Sequence, residues 1–283
     1  MAKFGMLHDL LLADGVVSAK RVYQPVVPPA AWIELVHTPE YVQSYQDGSI
    51  DPKAMRRIGL PWSKELVHRT EIALGGTILA ARLALEYGMA GNTAGGTHHA
   101  FPGYGSGFCI FNDLATATKV LMSQGLVRRV LIVDLDVHQG DGTAVIFQSE
   151  PNVFTFSMHC GVNFPGTKQQ SDLDVPLAIG MEDGEYLQTL DRYLPDLLQD
   201  FQPDLVVYDA GVDPHNGDLL GKLALTDRGL FCRDMQVLST CAKGGYPVVY
   251  TIGGGYAADL RSLVDRHSLV FRAAAEVYRQ YRL

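Results

Sequence analysis

The stretch that most restricts how this chain can fold is VLIVDLDVHQGDG, residues 130–142. A run of apolar residues leads directly into Asp134, Asp136 and His138, and then into a glycine-punctuated turn that carries Asp141. An unbroken apolar run of this kind suits a strand buried on both faces of a parallel sheet. Alternate side chains of a strand share a face. Asp134, Asp136 and His138 are therefore expected to point the same way, at the C-terminal end of the strand, where open α/β sheets bind ligands. Two carboxylates and an imidazole cannot sit bare in a sheet core, because unpaired buried charge costs several kcal/mol. A bound cation resolves the conflict. The competing reading is a surface strand end with solvated acids.

The flanking sequence supports the same fold class. From Gly91 onward, strand and helix patterns alternate without a linker-like break, which predicts one α/β domain over residues 1–283 with a mainly parallel sheet. Expected strands are Asn92 to Gly96, Val130 onward, Val153 to His159, Leu205 to Asp213 and Pro247 to Ile252. Expected helices cover residues 1–20, Trp32 to Gln46, Ser63 (as N-cap) to Tyr87, a stretch capped by Asn112 or Asp113, Glu185 to Gln199, Thr226 to Lys243 and Ala257 to Tyr281. Residues 47–62 read as a long loop. The net charge of −8 argues against nonspecific nucleic-acid binding and leaves room for a cationic substrate. Cys109, Cys160, Cys232 and Cys241 form neither a CxxC pair nor a disulfide framework, which suits a reducing compartment. With no signal peptide or transmembrane run in the sequence, a cytoplasmic protein without membrane partners is expected. Oligomeric state is not legible.

Strand ends deliver polar groups four times: His98-His99; Asp134, Asp136, His138 and Asp141; Asp213; and Gly253 to Tyr256. In a parallel sheet these ends share one edge, so distant segments can converge. Asp136, His138 and Asp213 supply three mixed oxygen and nitrogen donors, the set that leaves an open position on a catalytic metal. Water there would have its pKa lowered towards neutrality. His98 and His99 suit the acid and base tasks if carboxylates orient them, and Asp134 and Asp141 are the obvious partners. Tyr256, in a glycine-rich turn, could donate to an oxyanion. The chemistry described is metal-assisted amide hydrolysis. Asp209 reads as a hydrogen-bonded carboxylate behind the site, and His37, Cys109 and Cys160 as packing residues. His159 is read equally as a site residue or a structural one.

GGTHHAFPGYGSGFCIFND, VDLDVHQGDGT, NFPGT, AGVDPHNGDLLGKLALT and GGGY resemble the motifs of the histone deacetylase family, in family order and spacing, over roughly residues 30–275. HQGDG, GDLLGKLALT and the short loops are most similar to the class IV branch and its bacterial relatives. The resemblance implies the arginase/deacetylase fold, a single three-layer domain, and zinc-dependent removal of an acetyl or longer acyl group from lysine side chains or a related acylated amine. It places the zinc ligands on Asp136, His138 and Asp213. It pairs His98 with Asp134 and His99 with Asp141, His99 being favoured as general base, and it puts the carbonyl-polarising phenol at Tyr256. It lines a substrate tunnel with Gly107, Phe108 and Phe164, with Leu220 at the rim and Gly254 and Gly255 beside the substrate. A structural potassium would involve Asp134, Asp136, His138, Ser157 and Met158. Ferrous iron suits an Asp/His/Asp set as well as zinc does.

Family members usually begin with a strand and a short basic loop ahead of the helix that starts here at Met1-Ala2-Lys3-Phe4. The expectation is therefore a truncated start or a missing edge strand, with Lys3 near the family's basic residue beside a channel for the released acid. Competing readings are an acetylpolyamine amidohydrolase, disfavoured because Leu220 offers no rim acid, an arginase-like two-metal hydrolase, and a catalytically silent acyl-lysine binder.

Overall fold

The computed structural model describes residues 2–282, so the Met1 expectation lies outside the described residues. In chain order the elements are α1 (Lys3–Ala13), α2 (Ala30–Ile33), α3 (Pro39–Asp47), α4 (Pro52–Ile58), α5 (Lys64–Tyr87), β1 (Met89–Gly91), α6 (Asp113–Ser123), β2 (Val130–Asp134) and α7 (Asp141–Phe147). They continue with β3 (Val153–Cys160), β4 (Leu173–Leu177), α8 (Asp183–Phe201), β5 (Leu205–Asp209), α9 (Asp227–Gly244), β6 (Val248–Thr251) and α10 (Leu260–Tyr281).

The six strands form one sheet in the order β1-β6-β5-β2-β3-β4, and every pairing is parallel. Alternation splits the central strands between two cores. Leu131, Val133, Val206 and Tyr208 pack with buried residues of α1, α8, α9 and α10, whereas Val130, Ile132, Leu205 and Val207 pack with those of α3, α5 and α6. Both faces of β2 are thus dry, which is why its sequence is a continuous apolar run. The register sets Asp134 opposite Ser157 on one side and Asp209 on the other, with Asp209 opposite Thr251. A row of polar residues therefore crosses the C-terminal edge of the sheet.

Local chemistry marks the helix starts. Ser63 caps α5 by accepting from the Leu66 amide, Asn112 caps α6 through Ala115, and Thr226 caps α9 through Gly229. Elsewhere the expectations need correction. The stretch 32–46 breaks into α2 and α3, because Pro39 begins a new helix and holds Thr38 extended as its cap. Residues 47–62 contain α4, opened by Asp51 as N-cap and Pro52 behind it. The strand expected at Asn92 to Gly96 lies earlier, as β1, and Asn92 instead turns its amide to Ala73 O and Thr77. Edge strand β4, with its exposed Pro176, was not anticipated. β5 ends at Asp209 rather than Asp213.

β1 lies at one edge of the sheet, and residues 89–94 also line a cavity of about 1290 Å³ with Leu11, Val16, Ala73 and Phe271. Among the described residues no helix is long and apolar enough to cross a membrane.

Candidate active site

Strand β2 stops at Asp134, so alternation along a strand does not carry Asp136 and His138; the loop after the strand does. Its turn is held by its own carboxylates: the Asp136 amide donates to Asp134 Oδ1 at 3.2 Å and the His138 amide to Asp136 Oδ1 at 2.9 Å. Two distinct groups of donors result. Asp136, His138 and Asp213 form one, and His98, Asp134 and Asp209 the other; within each, the ligand atoms lie within 4.8 Å of one another, and all six residues are buried.

In the first group, His138 Nδ1 lies 3.0 Å from Asp136 Oδ1 and 3.1 Å from Asp213 Oδ2. Burial opposes charge on His138, yet the hydrogen bonds to these carboxylates raise its pKa to about 10. Burial and the neighbouring Asp136 push Asp213 up to about 7. A set of donors that draws a proton this strongly has the electrostatics of a cation site. The Gly254 amide donates to Asp136 Oδ2 at 2.7 Å, and a Cβ at Gly254 would come 2.2 Å from Asp213 Oδ2, so only glycine leaves the cradle open.

The tandem histidines turn to different carboxylates. His98 Nδ1 donates to Asp134 Oδ2 at 2.7 Å, His99 Nδ1 donates to Asp141 Oδ1 at 2.6 Å, and the two Nε2 atoms are 3.2 Å apart. Burial disfavours charge on both. For His98 the carboxylates of Asp134, Asp136 and Asp209 outweigh it and hold the pKa well above the ordinary histidine value. For His99 burial, reinforced by the charge on His98, wins over Asp141 and lowers the pKa to about 4. Asp209 accepts from Thr251 at one oxygen, while the other is buried without a partner, 3.8 Å from His98 Nδ1.

Aromatic residues border the histidines and Tyr256. Phe164 packs edge-on against His99 with ring centroids 4.8 Å apart, and Phe108 lies 5.6 Å from the Tyr256 ring. Phe108 and Phe164, each 45% exposed, and Leu220, 44% exposed and tied through its carbonyl to Asn163 next to Phe164, present an apolar collar to solvent. Gly107 sits close enough to His99 that a Cβ would approach its ring to 2.7 Å. Phe108 itself adopts φ 65°, a conformation costly for an aromatic residue, held by its amide bond to Ile58 O. Burial, with Asp213 and Asp136 nearby, pushes the Tyr256 phenol well above its ordinary pKa, so it keeps its proton. Gly255 packs against Val212 and His267. Lys3 reaches His267 Nε2 at 3.3 Å, and burial lowers its pKa to about 8.

The sheet register sets Ser157 opposite Asp134 of β2, Met158 follows it in β3 opposite Val175 of β4, and Ser157 Oγ lies 2.9 Å from His159 Nδ1. His37 bridges Phe101 O and the Asn112 amide and packs on Phe111, a structural arrangement. Sequence reasoning missed several supports. Asp113 binds the Gly96 and Thr97 amides below His98, a role masked by its position next to a helix cap. Asn163 donates to Leu220 O, Lys168 donates to Asn163 O and Pro165 O, and Asp218 accepts from the turn that carries Leu220. The NFPGT and NGD stretches were the only signals for these residues.

Fold and donor sets together define a parallel-sheet α/β protein with a candidate metal centre at the C-terminal edge of its sheet. The histone deacetylase domain matches residues 1–270, and the chain belongs to the histone deacetylase family. It is 64% identical to an uncharacterized protein of a Picosynechococcus strain, over 98% of this chain and 93% of that one. It is 30% identical to histone deacetylase 2 of Arabidopsis thaliana, over 90% of this chain and 68% of the relative. It is 31% identical to histone deacetylase 8 of Xenopus tropicalis, over 89% and 72%. The crystal structure of the HDA15 HD domain superposes with a TM-score of 0.80 over 97% of this chain and 80% of that one; at 23% identity this shows the shared arginase/deacetylase fold. The chain is thus a histone deacetylase-family hydrolase with candidate metal-binding groups.

Proposed function

We propose that the protein is a zinc-dependent deacylase that hydrolyses acetyl-lysine or longer acyl-lysine side chains, or a related acylated amine. The observation that carries this reading is His99, held neutral by burial and hydrogen-bonded to Asp141, beside the Asp136/His138/Asp213 donors and the exposed apolar side chains of the collar. Asp136, His138 and Asp213 would hold a divalent cation, which would supply Lewis acidity towards a water and a carbonyl oxygen.

The remaining work falls to the chain. His99, proton-free because burial lowers its pKa to about 4, accepts a proton from the attacking water and passes it to the departing amine. Asp141 fixes the ring with Nε2 towards the reacting centre. His98, held charged by Asp134, Asp136 and Asp209, offsets negative charge as it develops. The protonated Tyr256 phenol donates to the carbonyl oxygen. Phe108 and Phe164 accept an aliphatic lysine stem by apolar burial. We assign Ser157 and Met158, with Asp134, Asp136 and His138, to a structural potassium.

The test is turnover by zinc-loaded protein on acetyl-lysine, longer acyl-lysine and acetylpolyamine substrates, with a chelator control. Chelator-sensitive release from acyl-lysine is expected. Preference for acetylpolyamine would move the substrate class, and no turnover would favour a catalytically silent acyl-lysine binder.

A further inference from the structure

We infer that Asp218 is the residue that positions Tyr256; the inference rests on the reading that Tyr256 is the oxyanion donor. Tyr256 follows a glycine run in which Gly253 has φ 56° and Gly255 φ 151°. Such a segment restrains its own conformation poorly, because glycine tolerates backbone angles that other residues avoid. Both backbone polar groups of Tyr256 are nevertheless tied down. Its amide donates to Asp218 Oδ2 at 2.7 Å, and its carbonyl accepts from the Leu219 amide at 3.0 Å.

The other oxygen of the same carboxylate is also committed. Asp218 Oδ1 accepts from the Leu220 amide at 2.8 Å and from the Gly221 amide at 2.9 Å. One partly buried carboxylate therefore fixes the phenol-bearing segment against the turn that carries the rim leucine. Asn163 extends the frame across the opening by donating to Leu220 O at 2.7 Å, next to Phe164. The donor and the collar are thereby registered to each other. Amide bonds to a carboxylate are the stronger class of hydrogen bond, which suits a post that holds the phenol-bearing residue beyond Gly255, the glycine that follows the anchored Gly254.

An asparagine at this position keeps only one accepting oxygen. If that oxygen stays on the Leu220 and Gly221 amides, the side-chain NH₂ faces the Tyr256 N–H, donor against donor. Asp218→Asn should lower kcat about 10-fold to 100-fold, the range set by losing a hydrogen bond to a charged group. KM and zinc content should change little. The decisive measurement is a double-mutant cycle with Tyr256→Phe, read as kcat on the zinc-loaded protein, with thermal midpoints recorded in parallel.

If Asp218 acts through Tyr256, Asp218→Asn costs nothing further once the phenol is gone. An undiminished second loss in the Tyr256→Phe background would overturn the inference, as would an unchanged kcat in the single variant. Should asparagine destabilise the turn, Asp218→Ser keeps a single acceptor in a smaller volume and enters the same cycle. The two levels of the argument fail separately. Wild-type turnover that Tyr256→Phe slows and Asp218→Asn does not would sink the positioning role alone; wild-type turnover unaffected by Tyr256→Phe would sink the donor assignment on which it rests.

Discussion

His98 and His99 are adjacent in the chain, equally buried, and each is bonded to an aspartate through Nδ1, yet their surroundings drive them to opposite protonation states. Around His98 three carboxylates gather, from the ends of β2 and β5 and the loop after β2; around His99 there is one carboxylate, the charged neighbour His98 and the ring of Phe164. The lesson is that a His–Asp hydrogen bond does not by itself define a base. The balance of the remaining charges and the loss of solvent decide whether the imidazole stores a proton or stands ready to take one.

The largest effect that bears on this comparison comes from asking which donor group holds the cation. Asp213→Ala should lose stoichiometric zinc and all turnover, measured as metal per chain after dialysis, whereas Asp209→Asn should keep its zinc. Zinc retained by Asp213→Ala and lost by Asp209→Asn would move the metal to the His98 side and reverse the assignment of the two histidines. Next in size, His99→Ala should lower kcat by about 10²-fold to 10⁴-fold, the usual cost of removing a general base, and His98→Ala should cost markedly less. Equal losses in kcat would erase the distinction.

The smallest effect is on stability in metal-free protein. His99 titrates at about 4 when folded against an ordinary value of 6.5, so between these values the unfolded chain binds the proton more readily. Stability should therefore fall as pH drops from 6.5 towards 4, by up to about 3 kcal/mol from this group. His37, lowered to about 4 by burial, works in the same direction away from the site. His98 has the opposite sign: its contribution is complete below the unfolded value and is lost as pH rises through its raised folded value. Thermal midpoints across this acid range should decline less steeply in chelated His99→Gln than in wild type; parallel curves would mean that His99 is not held neutral.

Much of this arrangement was legible in the sequence because strand ends in a parallel sheet gather on one edge, so residues such as His98, Asp134 and Asp213 could be brought together without knowing any contact. The family resemblance then supplied roles. What did not follow from the pattern is equally physical. Alternation predicted a common direction for Asp134, Asp136 and His138, but the strand ends at Asp134, and the two outer residues are placed by a loop whose shape depends on hydrogen bonds to its own carboxylates. α4 has an Asp-Pro start, but at seven residues it is too short for apolar periodicity to separate it from loop. Asp218, through Tyr256, and Asn163 and Asp113 act on backbone groups outside their own segments, and no periodicity encodes such partners. The opposite states of His98 and His99 were likewise invisible, since they depend on how many carboxylates arrive.

Because His138 meets Asp213 across 75 positions of chain, the cation site does not exist until β2 and β5 have docked side by side. Docking them without a cation presses Asp136 and Asp213 together, at the expense of the folded state; docking them around one rewards it. A cation bound there would therefore stabilise the fold as well as serve the chemistry.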